Sequence, residues 1–504
     1  MDLPRREFII GAGLMAASSG AGKAAPKALI GTPEILPGKT FWRGDARYEQ
    51  TRVDLVWNGY KPDRHPAVIV QPASAQEVAV AVRFASEHGL KVKARSGGHS
   101  WTASFMRDGA MVIDLRALDG IKIDAKASTA SLGPAVRGDA LQAALVPHDL
   151  FFPTGHCPDV AVGGFLLQGG WGWNVPMLGL SNTLVNSIEV VTAKGEIIRA
   201  SNVENEDYFW AARGSSAGFF GIVTSYDVRL LPRPKMRASR SLYRREDLPE
   251  LLAWATAMGP KLPREIEMNV FIMKGLDKLA PGGFALVNMV CFAPTDGQAI
   301  DILTSTDTCP IKDRALIHVV AAPTTVAEMY DGLSHIYQKG LRYGADNMLS
   351  NASPPEIAHA IMEMVSNLPT PISHILWFPV PMERVQTNTS LSIMAANYLV
   401  GYGACVDSAD DLVVQSWASD HMKRFEPLAV GMQLGDENLA LRPDANILRP
   451  GALERLEVLR KQNDPNGVFH SFYRGDEHTK SDGQRETSPQ HKSQPQSKTP
   501  TRYM

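Results

Sequence analysis

The chain has 504 residues, of which 44% are hydrophobic and 21% charged, and its formal net charge is −2. That length and apolar content allow a large core spread over roughly two to three domains. The balanced charge, with no stripe of Lys or Arg, argues against function through electrostatic capture of nucleic acid or an anionic membrane.

Arg5-Arg6 near the N-terminus precede a mildly apolar Gly/Ala stretch and then Lys23, a pattern expected of a twin-arginine export signal over 1–27. The expectation is a partner in the twin-arginine machinery and a periplasmic or secreted location. The apolar stretch is too short and too Gly-rich for a stable membrane span, which needs roughly 18 to 20 residues. Cys157, Cys291, Cys309 and Cys405 are too few and scattered for a disulfide framework, and no CxxC spacing suggests structural zinc.

After the leader, 67–70 reads as a buried strand, and Ser74-Ala75-Gln76-Glu77 as a capping box opening a helix with apolar positions Val78, Val82 and Ala85. Gly89 ends that helix, and 90–94 returns as a strand into Arg95-Ser96-Gly97-Gly98-His99-Ser100. This is a βαβ unit closing on a glycine loop, where α/β layers bind ligands. Short strands follow at 111–115, 121–124 and 130–132, then a helix from about Asp139 to Val146. The stretch 187–199 is a hairpin turning at Lys194-Gly195, and 221–228 alternates as a half-buried strand. Leu231-Pro232-Arg233-Pro234 marks a linker.

From there the expected organisation is a first domain over 40–235, a substrate-binding domain over 236–425 mixing helices with strands such as 285–292 and 375–380, and a C-terminal segment over 426–473 containing a helix from Ala452 to Lys461. Residues 474–504 are polar and almost free of apolar side chains, so disorder is expected.

Two turns carry the chemistry. His99 and Cys157, the latter within Thr154-Gly155-His156-Cys157-Pro158, are nucleophilic side chains in Gly-rich turns where backbone can lie against a large planar ligand. The N–H groups of Ser96 to His99 suit a phosphate-binding nest. The turn is not a Rossmann fingerprint, because the third glycine and the acidic ribose ligand are missing. After Cys157 comes a glycine-rich run with Trp171 and Trp173, small residues for close approach and flat apolar walls.

In order and spacing, Arg-Ser-Gly-Gly-His-Ser, Val-Ile-Asp-Leu (112–115), Gly-His-Cys-Pro, Gly-Gly-Trp-Gly-Trp-Asn, Phe-Gly-Ile-Val-Thr (220–224) and Asn463-Asp464-Pro465-Asn466 to Phe469 resemble the berberine-bridge-enzyme-like oxidases of the vanillyl-alcohol-oxidase type. The resemblance covers roughly 40–473. It implies an α+β fold: a two-subdomain PCMH-type FAD-binding domain, a substrate domain of antiparallel sheet plus helices, and a C-terminal segment packing back on the first domain. It further implies FAD held at two points, His99 on the 8α-methyl carbon and Cys157 on C6. Arg95, Ser96, Gly97, Gly98, Ser100, Gly155, Val160, Gly163, Gly164, Gly170, Gly172, Ile222 and Asn466 would complete the cofactor site, with no metal. Val160, three residues after the cysteine, resembles the small residue of the oxidases and favours O₂ as acceptor. The sequence departs from the family at Ala161, at Val175-Pro176-Met177 and at Ser181-Asn182, and none of these is an attachment residue.

The implied activity is oxidation of an alcohol, sugar or secondary metabolite by hydride transfer to flavin N5. A same-fold dehydrogenase passing electrons to a quinone or protein, and a flavin-loaded binding protein without a base, are the alternatives. Proton removal from the substrate needs a base. The tyrosine often found before the C-terminal segment is absent, which leaves Asp436, Glu437 and Tyr402 as candidates, with Tyr398 beside them.

Overall fold

The computed structural model describes residues 33–275, 280–380, 388–391 and 395–475, and the chain divides into two units, Met1–Pro33 and Glu34–Met504. The expected export signal and all but the first two residues of the expected disordered tail lie outside the described residues.

Three sheets organise the unit from Glu34 onward. The first has four strands in the spatial order Thr40–Trp42, Val68–Val70, Met111–Asp114, Val92–Arg95. Val68, Ile69 and Val70 are all fully buried, as a strand covered on both faces requires. The strands at 68–70 and 92–95 both run parallel to Met111–Asp114, which sits between them. The expected βαβ crossover is therefore present, but its two strands are not neighbours: the next strand in sequence inserts into the gap. The intervening helix, Ala75–Glu87, buries Val78, Val82 and Ala85. Ser74 Oγ accepts from Glu77 N at 3.2 Å, while the Glu77 carboxylate accepts from Ala73 N rather than from Ser74 N. The cap is thus one residue out of step with a reciprocal box.

The second sheet has the order Ile121–Asp124, Thr129–Leu132, Ile222–Arg229, Val185–Val191, Ile197–Ser201, all antiparallel. Its hairpin turns at Gly195, whose φ of 70° is the left-handed conformation the turn requires. Leu231–Pro232 pairs with Leu150–Phe151, so the proline-rich linker is tied down at its start.

The third sheet, antiparallel throughout, has eight strands in the order Ile317–Pro323, Lys235–Arg244, Phe284–Ala293, Ile266–Met273, His374–Pro379, Asn397–Cys405, Arg342–Ser350, Ala429–Gly431. Alternate residues leave its two faces. Val270, Ile272, Trp377 and Leu399 enter a core shared with the helices Leu248–Met258, Pro354–Ser366 and Asp411–Arg424. Their neighbours Asn269, Phe271, Phe378 and Tyr398 line a cavity on the opposite face.

The C-terminal helix, Pro450–Asn463, lays Leu456 and Leu459 into the core of the second sheet, with Phe472 beyond it. The chain then pairs with the first sheet: Val92 N donates to Val468 O at 2.7 Å, and His470 N to Val92 O at 3.1 Å. Asp464 shapes this return, its carboxylate accepting from Val468 N at 2.6 Å and Phe469 N at 2.8 Å. Replacing Asp464 by Ala removes both charge-assisted bonds from a buried turn, and we expect a loss of about 2 to 4 kcal/mol. The urea midpoint followed by tryptophan fluorescence checks this.

Candidate active site

The cavity under the third sheet has a volume of about 760 Å³, in the upper part of the range for sites that enclose an elongated cofactor. Its floor is the turn after the strand Val92–Arg95. The Arg95 guanidinium holds that turn from behind: Nε donates to Leu55 O at 2.9 Å, the two Nη groups to Ser96 O at 2.9 Å and Gly97 O at 3.0 Å, and the charge is met by fully buried Asp114 at 3.1 Å. With those carbonyls bound behind, the turn's N–H groups are left for a ligand; among the described residues none accepts from Gly97 or Gly98 N–H. Glycine is required at both. A Cβ on Gly97 would meet Ala161 Cβ at 2.8 Å, and Gly98, at φ +73°, would meet Leu55 O at 2.0 Å.

Arg95 to Ser100, Gly155, Cys157, Val160, Gly163, Gly164 and Ile222 all line this one cavity, as do Tyr398, Tyr402 and Asp436. Four expected site residues do not line it. Gly170 and Gly172 serve loop packing, since a Cβ would meet Ser181 Cβ at 2.8 Å and Pro153 O at 2.3 Å. Asn466 is in an exposed turn, where its carbonyl accepts from Lys91 Nζ at 3.3 Å. Glu437 turns away, accepting from Thr102 Oγ1 at 3.2 Å and Leu439 N at 2.7 Å.

His99 is fixed on two sides. Its Nε2 lies 2.9 Å from Asp159 Oδ1, and its ring stacks on Trp57 at 4.2 Å. Trp57 Nε1 donates to the other oxygen of Asp159. Burial alone would raise the Asp159 pKa, but the hydrogen bonds from His99 and Trp57 and the nearby imidazole outweigh it and hold the carboxyl at about 2. Burial pushes the Cys157 thiol strongly up, and the Asp159 and Asp436 carboxylates add to this, so the sulfur is held as thiol. His156 also borders the cavity, its Nε2 2.9 Å from Glu267 Oε1. Among the described residues no cluster of His, Cys, Asp or Glu could hold a metal ion.

Asp436 is a hub at the cavity wall. Trp101 Nε1 donates to its Oδ1 at 2.6 Å and Tyr398 OH donates to its Oδ2, while Tyr402 lines the same cavity. Burial raises the Asp436 pKa against those bonds, and it raises both tyrosines far above the phenol range, with the Asp436 charge adding to the effect. The expected pair of neighbouring acids therefore separates: Asp436 faces the cavity and Glu437 the protein.

Sequence reasoning missed several cavity or support residues: Trp57, Trp101, Asp159, Lys93 and His470. Lys93 Nζ donates to Ala217 O at 2.6 Å; burial, then Arg107 and Arg460, lower its pKa well below the lysine range. Burial and Lys93 push His470 down to about 3. Arg107 and Arg460 stand near this end, and an anionic part of a cofactor placed here would favour the protonated forms that burial disfavours. Lys93 was the one legible signal, as an ionisable residue inside a run expected to be a strand leading into the glycine turn.

A glycine-floored cavity with two buried bases at one end and a carboxylate–tyrosine cluster at its wall fits a flavoenzyme oxidoreductase site. Residues 66–201 match the FAD binding domain family. A FAD-linked oxidoreductase of Hypoxylon pulicicidum is 28% identical over 458 residues, covering 89% of this chain and 99% of that protein. The (R)-6-hydroxynicotine oxidase of Paenarthrobacter nicotinovorans is 30% identical over 315 residues, 61% of this chain and 68% of that one. The crystal structure of 6-hydroxy-D-nicotine oxidase from Arthrobacter nicotinovorans superimposes with a TM-score of 0.76 at 21% identity, over 89% of this chain and 100% of that one. The chain belongs to the FAD-linked oxidoreductases that include the berberine bridge enzyme-like proteins.

Glu437 gives a pH signature. Burial raises its pKa from 4.5 to about 7. The protonated acid is thus favoured by folding, a contribution fully present below pH 4.5 and lost as pH rises through 7, worth at most about 3 kcal/mol. Glu437→Gln should flatten the wild-type decline in stability between these pH values, as read by urea unfolding at a series of pH values.

Proposed function

We propose that the protein is an FAD-dependent oxidase with doubly attached flavin, taking hydride from an alcohol, sugar or secondary metabolite and giving hydrogen peroxide. The observation that carries this reading is that His99 and Cys157, 58 positions apart in sequence, line one cavity with the Asp436–Tyr398–Tyr402 cluster. His99 would hold the 8α carbon and Cys157 the C6 position, with the turn 95–100, Gly155, Gly163, Gly164 and Ile222 along the cofactor and Lys93 and His470 at the anionic end. The flavin, when bound, supplies the hydride acceptor and a route for two electrons to dioxygen.

The chain's own residues handle the proton. In this reading the substrate hydroxyl gives its proton to Tyr398 oxygen while Tyr398 passes its own to Asp436 Oδ2. Oδ1 stays held by Trp101. A carboxylate whose pKa is raised by burial is a better acceptor at neutral pH than an ordinary one. Val160, on the cavity beside Cys157, is a small residue that favours oxygen over a quinone or protein acceptor. The Arg5-Arg6 leader supports export of the loaded enzyme.

Three measurements test this. Acid-precipitated protein should keep its yellow colour. His99→Ala and Cys157→Ala should each retain covalent flavin, and the double variant should release all of it. Covalent flavin in the double variant would show the anchors to be wrong. Asp436→Asn and Tyr398→Phe should each lower the rate of anaerobic flavin reduction about 10²- to 10⁴-fold with flavin content unchanged, measured by stopped flow with a panel of alcohols.

A further inference from the structure

One row of side chains crosses the cavity roof. Arg240 pairs with Asn288 and Asn288 with Asn269; one step further along the next ladder stands Phe378, which pairs with Tyr398. All five line the cavity. The row runs from a cation, through two amides and an aromatic ring, to the tyrosine that donates to Asp436.

Arg240 is unlike the other arginines near the site. Arg95 is paired with Asp114, and Arg237, on the same strand, with Asp296 at 2.9 Å. Arg240 donates only Nε, to Asn288 Oδ1 at 3.2 Å. Among the described residues its two Nη groups have neither a hydrogen bond nor a carboxylate. Asn288 therefore fixes the plane of the guanidinium and leaves its two-pronged edge free in the cavity, the geometry that takes a carboxylate with two parallel bonds. The ladder beside it breaks between Ala238 and Arg240, where Ala321 on the edge strand adopts φ 54°. Between the two ends the walls are apolar: Phe271, Leu376 and Phe378 from the sheet, Leu333 and Ile336 from the helix Val326–Ile336.

We propose that the substrate is an elongated alcohol carrying a carboxylate at the end remote from the oxidised carbon, with Arg240 as its specificity-determining partner. This rests on the oxidase reading, in which oxidation takes place at the Tyr398–Asp436 end. Four interstrand steps of about 4.8 Å separate Arg240 from Tyr398, so with both side chains leaning inward the two substrate groups lie on the order of 15 Å apart. The apolar middle selects a hydrocarbon or aromatic body. Asn269 and Asn288 supply further hydrogen bonds near the carboxylate.

The test is calorimetric binding to the oxidised, flavin-loaded protein, so that it does not depend on turnover. ω-Hydroxydodecanoate, which spans the distance, should bind about tenfold or more tightly than its methyl ester. ω-Hydroxyhexanoate, too short to reach both ends, should show no such preference over its own ester. In Arg240→Met the acid-to-ester ratio for the long compound should fall to about one, and Arg240→Lys should restore part of it. Equal binding of the long acid and its ester, no measurable binding of the acid, the same preference in the short pair, or a ratio unchanged in Arg240→Met would each overturn the proposal. The long and short pairs decide it in the wild-type protein alone should the variants not fold. Absence of flavin bleaching by any alcohol would count against the oxidase reading, while the acid-to-ester ratio would still decide the role of Arg240.

Discussion

The site depends on the two-residue period of the eight-stranded sheet. Because Val270, Ile272, Trp377 and Leu399 must enter the helical core, Asn269, Phe271, Phe378 and Tyr398 must face the cavity. A slip of one residue in any strand would exchange the two sets. Trp377 pins the register: it is fully buried and donates Nε1 to Asn397 Oδ1 at 3.1 Å on the neighbouring strand. The burial energy of the core thus sets the position of cavity-facing side chains that contribute little to it.

The opposite wall comes from the N-terminal half, and two buried asparagines join the parts. Asn58 Nδ2 donates to Trp101 O at 2.9 Å and Tyr343 O at 2.8 Å, and its Oδ1 accepts from Tyr343 N at 2.9 Å. Asn347 Nδ2 donates to Gln433 O at 2.9 Å and Asp436 O at 3.0 Å, while its Oδ1 accepts from Gln433 N at 2.8 Å. A buried amide bonded on both its oxygen and its nitrogen tolerates little displacement, because breaking any one bond strands a polar group in the interior. Asn347 fixes the loop carrying Asp436 to the strand paired with that of Tyr398. Asn58 fixes the segment carrying Trp101.

The range of the forces involved explains which features the sequence revealed and which it hid. The turn at 95–100, the helix cap at Ser74 and the hairpin turn at Gly195 are local, written in residues whose backbone freedom or hydrogen-bonding reach is short. Each is found where the sequence places it. The insertion of Met111–Asp114 between the two strands of the crossover could not be read, because it is decided by pairing between segments far apart in the chain. The same limit explains Gly170 and Gly172. Their need for a missing side chain was legible, but whether that space receives a ligand or another loop is a tertiary matter, and Ser181 and Pro153 fill it. Asp159, two residues beyond Cys157, carried no signal of its own until folding set it against Trp57 and His99.

Asp159 and Asp436 show how one cavity assigns different duties to like groups. Asp159 meets a histidine and an indole N–H, and these overcome the cost of burial and keep it ionised. Asp436 receives an indole N–H and a phenol, but burial prevails and its affinity for a proton rises. The two differ in their relation to His99, which is hydrogen-bonded to Asp159 but acts on Asp436 only from a distance. The first acid is therefore suited to hold an imidazole in place across the working pH range, and the second, in the reaction proposed above, to accept a proton through Tyr398. When two acids in one site are pushed in opposite directions, the one pushed upward is the candidate for proton transfer. Glu437 is pushed upward as well, and position separates it from Asp436: Asp436 lines the cavity, whereas Glu437 faces the protein.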